Sequence, residues 1–255
     1  MKKITLSILA LSLCLISGCS KTYKTVDEYD DAMKEIRNNS SYTIDAKGTA
    51  GPLTMDFKSY KKAEKWKTES IADSTDEKLK KELSQMQSVM QYDGKDLIEY
   101  NKNDKIGVSV TSELNKIKDE NQRKFMIESQ NPLATVYNWK FMLTYGNAKP
   151  EFGRMTTKNG FKCRMIKSGN KEVCVSDEYG IAVHQAITVE NPQTKEKMVI
   201  TTDVNKIDTN GFDDLIFKLP DGMKMLSISE VQKMRNKILA QKTSTKPVAK
   251  PKAKK

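Results

Sequence analysis

The apolar positions of this chain switch between two periods, and the switches mark its elements. From Thr25 to about Asn38, Val26, Tyr29, Met33 and Ile36 fall on one helical face, and Thr25 with Glu28 has capping-box spacing. Asn38-Asn39-Ser40 stops that helix, and the period drops to two. Tyr42, Ile44 and Ala46 alternate with Thr43, Asp45 and Lys47; Leu53, Met55 and Phe57 alternate with Thr54, Asp56 and Lys58. Gly51-Pro52 separates the two runs, which predicts an antiparallel hairpin with one apolar face. A third strand is expected between Tyr60 and Ser70, around Trp66. Ser74 and Glu77 repeat the capping-box spacing, and Leu79, Leu83, Met86 and Met90 predict an amphipathic helix ending near Met90. Tyr92 to Tyr100 reads as strand, Asp93-Gly94 turn, strand, and Ile106 to Val110 as a further short strand.

The helical period returns from Ser112 to Gly146 and is split at Asn131-Pro132, with Asn as N-cap and Pro at the first helical position. The second segment, Leu133 to Tyr145, carries Val136, Trp139, Phe141, Met142 and Leu143 around more than half its circumference, so it is buried or covers something apolar. From Glu151 to about Leu226 strands follow one another, punctuated by turn pairs such as Asn159-Gly160, Ser168-Gly169, Tyr179-Gly180 and Asp221-Gly222. Ser227 and Glu230 cap a last helix to about Gln241. The predicted class is α+β: an antiparallel sheet of about 10 or 11 strands whose apolar face is covered by helices; the length suits one large domain or two small ones.

The first residues lie outside this pattern. Lys2 and Lys3 precede an apolar run from Ile4 to Ile16, too short for a permanent membrane helix. Leu15-Ile16-Ser17-Gly18-Cys19 then resembles the lipobox of bacterial lipoproteins. The resemblance implies removal of residues 1–18, diacylglycerol on the Cys19 thiol and acylation of the new amino terminus, with residues 19–24 as a lipidated linker. Two or three acyl chains anchor stably where one does not. Ser20 lacks the Asp that retains such proteins at an inner membrane, which implies an outer-membrane position facing the periplasm. The competing reading is an ordinary secretory leader followed by an incidental cysteine.

Charge changes the picture less than its total suggests. The net charge is +11, but two of those charges are Lys2 and Lys3 and six are lysines in the last 15 residues, leaving +3 for the folded part. A nucleic-acid binder would cluster basic residues with aromatics on a folded face, so nucleic acid is not an expected partner. The tail, residues 242–255, has no apolar periodicity and reads as disordered; it is either a solvating extension or a contact for anionic envelope polymers or lipids.

With Cys14 in the leader and Cys19 lipidated, Cys163 and Cys174 remain as a pair. A hairpin about Ser168-Gly169 sets them opposite each other, within reach of a disulfide in an oxidising compartment; two free thiols is the alternative. His184 is the only histidine, placed by alternation at a surface or sheet edge. The sequence has no nucleophile elbow, zinc-protease motif, P-loop or calcium loop, and its carboxylates are scattered. No enzymatic activity, metal or cofactor is expected.

A capped helix, consecutive antiparallel strands, a helical interruption and further strands together resemble the LolA/LolB lipoprotein-carrier superfamily. Tyr92-Asp93-Gly94-Lys95-Asp96-Leu97-Ile98-Glu99-Tyr100 is similar to a recurring strand-turn-strand of that superfamily, and Phe217-Lys218-Leu219-Pro220-Asp221-Gly222-Met223 to its closing strand. The resemblance implies a curved half-barrel wrapped around helices that shelters acyl chains, in a single domain over residues 25–241. Its soluble carrier lacks an anchor such as Cys19, and no latch arginine is matched here. Burial of about 0.8 kcal/mol per CH₂ would hold such a guest, and 13 methionines suit variable chains. The candidate cavity residues are Phe57, Trp66, Met86, Met90, Trp139 and Met142, each of which is equally a plain core residue. The expected function is an envelope-anchored protein binding acyl chains or lipoproteins; the alternative is a structural, interaction or stress-sensing lipoprotein with a filled core.

Overall fold

The computed structural model describes residues 23–83, 87–144 and 148–233. The leader, Cys19, Met86 and the 242–255 tail lie outside the described residues. The chain runs α1 (Val26–Asn38), β1 (Ser41–Ala50), β2 (Leu53–Lys62), β3 (Lys65–Ser74), α2 (Glu77–Leu83), β4 (Gln87–Tyr92), β5 (Leu97–Asn101) and β6 (Ile106–Ser109). Four short helices follow: α3 (Thr111–Leu114), α4 (Glu120–Ser129), α5 (Ala134–Tyr137) and α6 (Trp139–Thr144). Then come β7 (Glu151–Lys158), β8 (Phe161–Ser168), β9 (Lys171–Val175), β10 (Ala182–Glu190), β11 (Lys197–Asp208), a 3₁₀ turn (Asp214–Phe217) and β12 (Lys224–Leu226). The class is α+β, as the periods predict.

All twelve strands form one sheet in the order β12-β6-β5-β4-β3-β2-β1-β11-β10-β9-β8-β7. It is antiparallel except at the β12–β6 pair, and it is open: β12 and β7 occupy opposite edges. The β7 edge is irregular, with a register shift between Phe152 and Met155 against β8.

Local chemistry explains most boundaries. Thr25 caps α1 by accepting from the Glu28 amide at 3.1 Å, while Glu28 reaches back to the Lys24 amide at 2.9 Å. The β1–β2 turn places Gly51 at φ +59°, which a tight hairpin wants at its first central residue. Ser227 and Glu230 exchange the expected capping bonds at the start of the last helix.

Four boundaries differ from the sequence pattern. The third strand is not Tyr60 to Ser70: Tyr60 lies in β2, which runs to Lys62, and β3 opens at Lys65, because a tight turn at Ala63-Glu64 (Ala63 φ +52°) carries no Gly or Pro signal. The helix expected up to Met90 ends at Leu83 and is capped by Asp76, which accepts from the Lys78 and Leu79 amides. Met90 instead lies in β4, opposite Thr68. Phe217 closes a 3₁₀ turn rather than a strand, because Asp213 caps it through the Leu215 amide. The β8–β9 turn centres on Gly169-Asn170, so Met165, not Cys163, faces Cys174. Cys163 and Cys174 are nevertheless joined diagonally, at a Cα–Cα distance of 5.4 Å.

The helices pack on one sheet face, called here the inner face. Leu133, Val136 and Tyr137 of the α5 region cover Tyr42, Ile44 and Ala46. α1 and α6 cover β8 and β9 through Tyr29, Met33, Trp139 and Leu143 against Ile166 and Val173. The α4 residues Met126 and Ile127 pack around Trp66 and Leu97. On the outer face, Leu219 and Met223 cover Val89, Ile98 and Tyr100.

Candidate functional site

The inner face is only partly covered. Across the sheet, the row Val204–Ala46–Phe57–Ser70 marks the border of the helical cover. The next rows are Thr202–Gly48–Met55–Ala72 and Ile200–Ala50–Leu53–Ser74; they end at β11, because on β10 Gln185 bonds Thr135 of α5 and Ile187 packs against the α1–α6 cluster. Directly paired residues share a face, so these rows continue the apolar core surface beyond the helices. Leu53 is 41%, Met55 39%, Met198 40% and Ile200 36% exposed. Gly51 lies close to Met198, whose sulfur would sit 3.5 Å from a Cβ added there. The result is a strip of flexible apolar side chains at the ends of β1, β2 and β11, with small Gly48 and Ala50 along its floor.

A second feature lies in the helical layer. α1, α4, α5 and α6 frame a groove of about 690 Å³ whose wall carries Phe125 and Phe141, 46% and 50% exposed, with ring centroids 5.4 Å apart. Its polar wall is organised by ion pairs: Arg37 to Asp30 at 3.0 Å and Lys140 to Asp27 at 2.7 Å. Hydrogen bonding to Asp27 pushes the Lys140 ammonium above its ordinary pKa. A smaller cavity of about 40 Å³ adjoins it and shares Arg37, Asn38, Glu128, Ala134 and Asn138 with the groove. Lys61, Trp66 and Tyr137 line this inner space. Burial pushes the Lys61 ammonium below its ordinary pKa and the Tyr137 hydroxyl above its own.

The structure does not bring the sequence candidates together. Phe57 sits at the border of the strip, half-buried. Trp66 and Met90 belong to the α4 cluster, and Trp139 and Met142 to the α1–α6 cluster. Of these only Trp66 touches either space just described. His184 is also displaced from its expected place: it is buried and bonds Asp203 through Nδ1 at 2.7 Å, because β9 and β11 flank β10 on both sides. Sequence reasoning passed over Lys61, although its parity was legible. Leu53, Met55, Phe57, Ser59 and Lys61 alternate to one side of β2, so the lysine falls on the apolar face.

Among the described residues no helix is long and apolar enough to cross a membrane, and no group of three or more His, Cys, Asp or Glu is placed to hold a metal. No protein-family profile matches the sequence, and no curated protein matches it. Among solved structures, an uncharacterized conserved protein from Thermus thermophilus superposes with a TM-score of 0.49 at 7% identity, over 79% of this chain and 98% of that one. MucB superposes at 0.40 and 8% identity, over 76% of this chain and 62% of MucB. The Pseudomonas aeruginosa MucA/MucB complex gives 0.42 at 6% identity, over 79% of this chain and 63% of that one. At such identities and scores these likenesses assign neither family nor function.

Proposed function

We propose that this chain is a lipid-anchored envelope protein that binds acyl chains, of lipoproteins or of free lipids, without catalysing a reaction. The observation that carries this reading is the uncovered strip of the inner face around Leu53, Met55, Met198 and Ile200. The lipobox-like Leu15–Cys19 pattern supports the anchor and the envelope location, and the order of elements keeps its resemblance to lipoprotein carriers. An acyl chain needs no polar partner, only dry surface, and each CH₂ removed from water contributes about 0.8 kcal/mol. Two methionines in the strip let it adapt to chains of different length and kink.

The guest site differs from the sandwiched cavity expected from sequence. Trp139 and Met142 are packed between helices and sheet, whereas the strip lies beyond the helices. The full chain carrying Cys19→Ala, which blocks acylation, should take up a neutral fluorescent acyl ester or retain lipid on purification. Met55→Glu with Ile200→Glu should weaken uptake at least tenfold while leaving the circular dichroism spectrum unchanged. A wild-type strip that takes up no probe and retains no lipid, or a double variant that binds as well as its parent, overturns the reading.

A further inference from the structure

The groove in the helical layer and the cavity at its floor carry a separate inference, since none of the exposed strip residues lines either space. Lys61 and Trp66 are direct partners across the β2–β3 pair and share the inner face. Trp66 is 2% exposed and its indole N–H has no hydrogen-bond partner, although Trp66 lines the floor cavity. A buried donor left without an acceptor costs about 1–3 kcal/mol, so this N–H is a strong place to look for a missing ligand. The Lys61 ammonium has three protons to donate, and its one hydrogen bond runs to the Ala63 carbonyl, 2.7 Å away. It also sits 5.6 Å from the centroid of the Tyr137 ring.

The surrounding charge selects the sign of that ligand. Of the five cationic side chains that line the two spaces, Arg37 pairs with Asp30, Lys140 with Asp27 and Lys124 with Glu64, which leaves Lys34 and Lys61 against one further carboxylate, Glu128. Both lining carboxylates, Asp30 and Glu128, are engaged: Asp30 accepts from Arg37, and Glu128 from the Asn138 amide at 3.3 Å. Arg37 is itself occupied, by Asp30 and by the Gly180 carbonyl, so Lys61 and Trp66 are donors at the floor, beside the Asn38 and Asn131 amides. Outward from them Phe125 and Phe141 form an apolar patch in an otherwise mostly polar wall. Donors at the bottom and rings at the mouth describe an amphiphile bound head-first, and about 690 Å³ lies within the range of small-molecule sites of about 300–1,000 Å³.

We propose that this is a site for a long-chain carboxylic acid, its carboxylate accepting from Trp66 Nε1 and Lys61 Nζ and its chain leaving past Phe125 and Phe141. The charge on Lys61, disfavoured by burial, is restored by a carboxylate beside it. A neutral chain of the same length gains only the apolar patch.

The test uses the full chain carrying Cys19→Ala, titrated with laurate and, separately, with dodecanol. Laurate should bind at least tenfold more tightly than dodecanol and should shift one of the two tryptophan indole N–H resonances, the one that disappears in Trp66→Phe. Lys61→Met keeps the stem and removes the charge, and should bring laurate down to the affinity of dodecanol. Equal affinity of the two compounds for the parent, or an unmoved Trp66 signal under saturating laurate, overturns the proposal, as does a Lys61→Met variant that keeps its preference. If laurate binding survives Lys61→Met but is lost in Met55→Glu with Ile200→Glu, the strip stands and the groove site falls. The opposite pattern removes the strip and keeps the groove.

Discussion

Two regions of the inner face have the same sequence texture and opposite fates. At one end of β1, Tyr42, Ile44 and Ala46 are fully enclosed beneath Leu133, Val136 and Tyr137. At the other, Gly48 and Ala50 continue the alternation, but their neighbours Met55, Leu53 and Ile200 stand partly in water. The enclosed end uses aromatic and β-branched side chains, whose limited rotamers suit close packing. The open end has small residues on its floor and two unbranched methionines, Met55 and Met198, beside Leu53 and Ile200 on its walls. A surface that is to be filled only part of the time needs to tolerate both states, and unbranched side chains do so at little cost.

The widest separation between the regions should appear on truncation. Trp139→Ala, in the enclosed half, should cost about 3–5 kcal/mol, whereas Leu53→Ala, in the open strip, should change stability by no more than about 0.5 kcal/mol. Urea unfolding of both variants checks this, and comparable losses would erase the distinction. The cystine comes next, because Cys163 and Cys174 belong to the same buried cluster as Tyr42 and Ile44. Cys163→Ala with Cys174→Ala should lower stability by about 2–4 kcal/mol and leave acyl-probe uptake by the folded variant unaltered.

The smallest effect is expected from acid. Burial by itself raises the Asp203 carboxyl, but hydrogen bonds from Asn159 and His184 outweigh it and hold the group below its ordinary pKa. Burial likewise raises Glu172, and the hydrogen bond from Lys167 outweighs it there. Unfolded carboxyls titrate near pH 4, so the stability these groups add is complete above about that value. It is lost as the pH falls through their lower folded values. Asp203→Asn should flatten the decline in thermal midpoint below pH 4. Asp203 follows Thr202 in β11 and so faces away from the strip, and probe binding should not share its pH dependence.

Much of the architecture was legible because it depends on near neighbours in the chain. The Thr25 and Ser227 caps, the Gly51-Pro52 hairpin and the Asp93-Gly94 turn each rest on a few consecutive residues. The misplaced elements rest on tertiary context. Met90 has helical spacing from Leu83 and Met86, yet alternation with Val89 and Gln91 serves the sheet, where Trp66 and Val89 need cover from opposite sides. The cavity candidates fall in separate clusters for a related reason: periodicity identifies apolar faces but is silent on which stretch of a face a helix reaches. Phe57 and Met55 are two residues apart on one side of one strand, and only the fold puts the first at the border of the cover and the second beyond it.

The unclosed sheet has one further consequence, for behaviour among crowded neighbours. An open sheet presents two borders whose free amides and carbonyls invite a neighbour to add a strand. Here one border is β12, three residues long, and the other is β7, kinked at Phe152–Met155 and bearing Glu151, Arg154 and Lys158. Neither offers a long flat ladder. The protein is thereby able to keep a greasy patch exposed while denying its own copies the backbone register from which fibres grow.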